Sequence, residues 1–438
     1  MQAIARMGKA FALAAALWCG MAGAVLAGGM APEQVMQRWY QMILELVRHT
    51  PTYSPPVASR SFAYVGVTAY EAVAGGNTNL QSLAGQLNGL QPLPARVGGV
   101  YDEGVLIQAA LAAATRSFFA NTGPTGQRAM TRMETRLRAR VAEGLPADTV
   151  ARSEAYGAAV AAHILAWSAN DGGAAITNMG FPQDHALTEG RAHWVPTSVI
   201  VQQQAPLLPD WGKNRPFAMP AGNACAVPAP PEYSEEEGSE FYKQAREVFD
   251  TTANITPEQL VIARFWSDDP MLSPTPPGHW VSIAMQVMER ENAGLEKRVD
   301  VMVRLGVAMA DAFIGCWYSK FHHDLLRPVT YIRRTMDPQW EPPLTTPPFP
   351  EYPSGHSTQS GAAAAVLTAA FGVDYAFDDA THRDDGLPVR RFASFWDAAE
   401  EAGLSRLYGG IHFRAAIERG MDQGRCIGGF AAALTTRK

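Results

Sequence analysis

Cysteine is scarce: four residues in 438, with no two close enough for a CxxC or CxxCH pattern. That excludes a thiolate zinc site, c-type haem attachment and the dense disulfide framework of a small secreted domain. Charge is sparse too. Charged residues make up 18% of the chain, the formal charge is −6 and there is no basic run, so nucleic acid is not an expected partner. The chain has no glycine-rich nucleotide loop, no internal repeat and no sustained alternation of apolar and polar residues of the kind a half-buried strand needs. After the first 27 residues, no apolar stretch is long enough to cross a bilayer.

Residues 1–27 carry Arg6 and Lys9, an apolar run interrupted by glycines, and small residues before Gly28. This is the form of a secretory signal peptide cleaved after Ala27, which puts the mature protein in the periplasm or outside the cell. A permanent membrane span is the second reading of the same stretch. Cleavage would leave Cys225, Cys316 and Cys426, of which one pair can form with partners the sequence does not specify.

The remaining chain reads as all-α. Residues 28–170 form an N-terminal helical region. Ala31-Pro32-Glu33-Gln34 opens its first helix, and Val35, Trp39, Met42 and Leu46 recur at helical spacing. Further helices are expected over Arg60–Ala74, Glu103–Phe118, Gly126–Glu143 and Asp148–Trp167. Residues 171–235 lose periodicity and become rich in Pro, Gly and Trp. So much aromatic content predicts an ordered wrap that narrows the entrance to a site rather than a disordered linker. Residues 236–438 form a C-terminal helical core. There Thr256-Pro257-Glu258-Gln259 is a strong helix start, and Val301 to Ser319 is an apolar helix leading to Lys320. His279, at the start of another helix, is expected to pack in the core, with capping that helix or contacting the site as alternatives.

The chemistry concentrates between Lys320 and His412. Lys320 and Arg327 lie seven residues apart, two helical turns, and so are expected on one helix face that ends before Pro328. Pro353-Ser354-Gly355-His356 is a turn running into the small, apolar GAAAAVLTAAF. That order sets Ser354, Gly355 and His356 at a helix N-terminus, where free N–H groups and the dipole favour an anion. Arg406 precedes His412 by six residues, with Gly409-Gly410 between them to bend the chain. Fixed cations, a Ser-Gly pair and two histidines suit the enclosure of a tetrahedral oxyanion.

In these motifs the chain resembles the vanadium-dependent haloperoxidases, within the superfamily that also holds the type 2 phosphatidic acid phosphatases and bacterial acid phosphatases. The resemblance implies helical bundles of the vanadium haloperoxidase type with long ordered Pro/Trp-rich loops, and vanadate as cofactor. It implies that Lys320, Arg327, Arg406, Ser354 and the Gly355 N–H hold the vanadate oxygens, that His412 is the vanadium ligand, and that His356 is the acid–base group. Asp269, with Asp268 as the alternative, matches the aspartate that pairs with the second arginine, here Arg406. Trp317 and Phe349 match aromatics on the halide side, and Phe349 through His356 is close to the fungal chloroperoxidase type. The implied partners are hydrogen peroxide, a halide (bromide, with chloride or iodide as alternatives) and a small organic acceptor. Nucleic acid is not among them, and no membrane span remains after processing; a homodimer is left open. One position departs from the family: an aspartate is expected four residues after the histidine ligand, where Ala416 stands, unless Glu418 or a backbone carbonyl substitutes. The same cage also suits an acid phosphatase with His412 as nucleophile and His356 as general acid, or a non-catalytic phosphate or vanadate binder.

Overall fold

The computed structural model describes residues 29–198 and 204–438; the expected signal peptide lies outside them. The N-terminal half holds α1 (Pro32–Arg48), α2 (Pro55–Ala74), α3 (Glu103–Phe118), α4 (Pro124–Val141) and α5 (Ala147–Ser168). Proline stands in the first turn of α1, α2 and α4, where its missing N–H costs nothing, and Asp102 caps α3 by accepting the Val105 N–H at 2.9 Å. After the short α6 (Gly173–Ile176) and an irregular stretch come α7 (Glu240–Ala253), α8 (Pro257–Phe265), α9 (Thr275–Arg290), α10 (Leu295–His323) and α11 (Pro328–Thr335). The chain closes with α12 (Gly355–Phe371), α13 (Phe395–Tyr408) and α14 (Arg414–Ala432). Thr256 and Gln259 form the expected capping box on α8.

Two strands depart from the all-helical expectation. β1 (Phe377–Asp379) pairs antiparallel with β2 (Arg390–Phe392), setting Phe377 opposite Phe392. At three residues each they are too short for alternation to show in sequence. Phe377 packs on Phe392 and on Phe395 at the start of α13.

The helix α10, buried from Arg298 to Lys320 except at Arg304 and Tyr318, is the post shared by both halves, packing on α2 in one direction and on α12 and α14 in the other. Facing glycines allow the α2 contact. A Cβ at Gly66 would meet the Met302 carbonyl oxygen at 3.0 Å, and one at Gly306 would meet Ala63 Cα at 3.0 Å. The α12–α14 contact is closer still, because Gly420, Gly424 and Gly428 repeat every four residues on one face of α14. A methyl at Gly424 would fall 2.2 Å from the Thr358 carbonyl oxygen, whereas one at Gly429 would meet nothing within 4 Å. Gly424→Ala is therefore expected to lower stability by about 1–3 kcal/mol through overpacking. Gly429→Ala should leave the urea midpoint unchanged or higher, and equal midpoints for the two variants would contradict this packing.

The irregular stretch is pinned at several points. Asp171 pairs with Arg60 at 2.6 Å and accepts the Tyr64 hydroxyl at 2.8 Å. Asp311, buried in α10, accepts the backbone N–H groups of Phe217, Ala218 and Met219 at 2.6–2.8 Å. Cys225 forms a disulfide with Cys426 of α14, and Cys316 stays free and buried. Leu207 accepts the Trp317 indole N–H at 3.1 Å and donates its own N–H to Pro348 at 2.8 Å. The wrap thus reaches the wall expected beside the halide. Among the described residues no helix is long and apolar enough to cross a membrane.

Candidate active site

Lys320 and Arg327 do not share a helix. Asp324, in the left-handed conformation at φ 48°, ends α10, and Arg327 is the extended residue before Pro328 that opens α11. The proline acts as expected on Arg327, but the helix has already stopped three residues earlier. The two cations still converge, because both grip the segment before α12. Lys320 Nζ donates to the carbonyls of Pro350 and Glu351, each at 2.8 Å. Arg327 Nε donates to Phe349 at 2.8 Å and Nη1 to Ile411 at 2.9 Å. The Phe349 ring covers both, its centroid 5.2 Å from Lys320 Nζ and 5.0 Å from Arg327 Cζ.

Ser354 caps α12, its Oγ accepting the Ser357 N–H at 3.3 Å, and its own N–H donates to Ala416 at 2.9 Å. Gly355 lies against the lysine and the indole: a Cβ there would sit 3.8 Å from Trp317 and 4.0 Å from Lys320 Cε. Trp317 in turn packs on Phe349 at 4.8 Å, so the two expected halide-side aromatics form one wall. Arg406 arrives on the last turn of α13, with Nε donating to Ser405 Oγ at 2.9 Å and Nη2 to the Ala263 carbonyl at 3.2 Å. Gly410 then adopts φ 71°, a conformation costly for other residues, and returns the chain to His412. His412 Nε2 lies 3.2 Å from Arg327 Nη1.

Burial dominates the electrostatics. It lowers the Lys320 pKa to about 7, and those of Arg327 and Arg406 to about 10 each. Burial also takes His412 well below the ordinary imidazole value, and Arg327, Lys320, Arg406 and His356 depress it further, so these groups converge on one ring. His356 is lowered well below its usual value by burial and then by Arg406, which keeps it neutral. Among the described residues, none of Lys320, Arg327 and Arg406 has a carboxylate at ion-pair distance. Among the described residues, Arg327 Nη2 and His356 Nε2 are buried and have no hydrogen-bond partner. Buried cations without counter-ions are costly, and an oxyanion would supply both the charge and the missing acceptors. The residues present therefore fit vanadate.

The expected pairing of Asp269 with Arg406 is not a direct ion pair. Asp269 is only partly buried, and burial raises its pKa while Arg406 opposes the rise from a distance. Asp268 does not pair with Arg406 either. It is fully buried, at 3.0 Å from His279 Nδ1 and 3.2 Å from His382 Nε2. His279, expected as simple core packing, bridges Asp268 to Asp379, whose carboxylate lies 2.8 Å from Nε2. His382 continues outward to Asp385, which Arg48 holds at 2.6 Å. The ligand atoms of Asp268, His279 and His382 lie within 4.8 Å of one another, the spacing of a metal cluster. Burial would lower His279, but its two carboxylates override that and raise it to about 10. Its carboxylates suit cations, and Asp268 draws on Arg406 through space. The network thus lies within electrostatic reach of Arg406 and His356.

Sequence reasoning also missed Glu351. Its Oε1 lies 2.8 Å from His412 Nδ1 and accepts the Phe413 N–H at 2.9 Å. Burial raises its pKa to about 7. The only signal was an acidic residue inside the otherwise uncharged run from Phe349 to Gly355.

A family model described as the VCPO second helical-bundle domain matches residues 300–438. No curated protein sequence matches the chain. Among solved structures, one described as the first bacterial vanadium-dependent iodoperoxidase is 39% identical, with a TM-score of 0.85, covering 92% of this chain and 97% of that one. Holo and apo structures of a bacterial vanadium-dependent chloroperoxidase, each 16% identical, align with TM-scores of 0.67 and 0.68. Each covers 88% of this chain, against 92% and 95% of their own, and shares the fold. With the cage geometry and the extent of the 39% match together, the chain belongs to the vanadium-dependent haloperoxidase family.

Proposed function

We propose that the protein oxidises iodide and bromide with hydrogen peroxide, holding vanadate on His412. The observation that carries this reading is three buried cations without carboxylate partners, converging on His412 beside the unpartnered Nε2 of His356. Vanadate, when bound, would supply a Lewis-acidic centre that activates peroxide toward halide. The chain's own contribution is charge and geometry. Lys320, Arg327 and Arg406 neutralise the oxyanion, while the Ser354 hydroxyl and the Gly355 N–H donate to it. His356, held neutral, accepts a proton at Nε2 from incoming peroxide and returns it to the departing oxygen. Trp317 and Phe349 form an apolar wall suited to a large, weakly hydrated halide. Iodide is the most easily oxidised of the three halides, and the 39% identical relative is described as an iodoperoxidase.

A small electron-rich organic molecule would consume the hypohalous product. Every cage residue comes from this one chain, so a homodimer is not required to complete the site. We place the protein outside the cytoplasm. The signal-like residues 1–27 support this, as does the Cys225–Cys426 disulfide, since disulfides persist in oxidising compartments.

The test pairs two assays on vanadate-free protein. With vanadate, peroxide and iodide or bromide it is expected to halogenate a phenolic dye, and excess phosphate should suppress the reaction by competing for the cage. Protein that stays inactive with vanadate yet hydrolyses a phenyl phosphate would instead be a phosphatase with His412 as nucleophile.

A further inference from the structure

We propose that Glu351 is the positioning residue for His412, fixing the ring so that Nε2 presents a lone pair to vanadate. The inference rests on the reading of His412 as the vanadate ligand.

Two contacts on opposite sides of the ring determine its tautomer. Arg327 Nη1 lies 3.2 Å from Nε2, and a guanidinium can only donate, so Nε2 must be the acceptor. Nδ1 then carries the proton, and the Glu351 carboxylate at 2.8 Å is its acceptor. The same Oε1 takes the Phe413 N–H at 2.9 Å, which ties the carboxylate to the backbone that carries the ring. Glu351 also binds the opposite wall, since its carbonyl accepts from Lys320 Nζ at 2.8 Å. One residue therefore sets the lysine through its backbone and the histidine through its side chain. Both Glu351 and Ala416 line a cavity of about 10 Å³, so a longer side chain at 416 would enter the space beside this carboxylate. The carboxylate expected four residues after His412, where Ala416 stands, comes instead from Glu351 in a different segment.

Outer partners of metal-ligating histidines typically contribute about 10–100-fold to affinity or activity. The experiment is equilibrium dialysis of vanadate-free protein against vanadate, with bound vanadium measured by atomic emission. Glu351→Ala is expected to weaken vanadate binding by about 10–100-fold. Glu351→Gln, whose amide oxygen can still accept from Nδ1, should stay within a few-fold of wild type. In a His412→Ala background, where the cation cage alone retains weak vanadate binding, Glu351→Ala should cause no further loss, because the residue through which it acts is gone. Should Glu351→Ala fail to fold, Glu351→Leu provides the same comparison at closer to native volume. Wild-type affinity in the alanine or leucine variant would overturn the proposal, and so would an equal loss in both backgrounds. A wild-type protein that binds no vanadate would instead count against the proposed function, before Glu351 is in question.

Discussion

His412→Ala is expected to abolish halide oxidation by losing the bound vanadate, while His356→Ala keeps the vanadate and loses rate. The two rings differ in their surroundings. His412 is fixed at both nitrogens, with Glu351 at Nδ1 and Arg327 at Nε2. Removing it takes away the ligand itself, so the loss in affinity should exceed the roughly 10–100-fold that an outer partner contributes. His356 has an enclosed Nε2 with no partner and a pKa held well below the usual value, which suits a proton carrier. General acid–base assistance is typically worth about 10²–10⁴-fold, and that is the expected loss in kcat for His356→Ala with vanadate binding nearly intact. Dialysis and steady-state rates on the two variants side by side check this. If His356→Ala sheds vanadate and His412→Ala retains it and turns over, the roles are reversed.

The second large effect is on stability. Asp268→Ala leaves His279 and His382, both buried, without their shared acceptor, and removing one partner of a buried ion pair commonly costs about 3–5 kcal/mol. Burial alone would raise the Asp268 pKa, but His279 and His382 override it and hold the carboxylate far below the usual range. His279 moves the other way, to about 10. The His279 contribution is therefore complete below about pH 6.5 and fades as pH rises toward its folded value. The Asp268 contribution is complete above about pH 4 and is lost as the solution becomes strongly acid. Denaturation of wild type and Asp268→Ala should differ most between about pH 4 and 6.5, with a shrinking gap toward pH 10. Asp269→Asn should change stability far less, because Asp269 is partly exposed and makes no direct ion pair with Arg406. Equal destabilisation by the two substitutions would contradict the geometry.

Local signals made the helices legible. Proline in first turns, the Thr256–Gln259 box and the periodicity of α1 set boundaries within a few residues of those observed. Lys320, Arg327, Ser354, Gly355, His356, Arg406 and His412 could be picked out because they stand in short ordered motifs. Partnerships were harder, since they are tertiary. Glu351 reaches a histidine 61 residues later, and His279 reaches a carboxylate 100 residues away, so no spacing rule connects either pair. The Cys225–Cys426 bridge spans 201 residues and was equally invisible. β1 and β2 were missed because three residues carry no period. The helix break at Asp324 was missed because the proline at 328 gave a stronger, later stop signal.

The proposed function stands on vanadate being bound to His412 inside the three-cation cage. A crystal of the protein soaked in vanadate, with anomalous data collected at the vanadium edge, tests it directly. The expected result is a single strong peak at bonding distance from His412 Nε2, surrounded by Lys320, Arg327, Arg406, Ser354 and Gly355. A peak among Asp268, His279 and His382, or bonded to His356 with His412 left free, would contradict it.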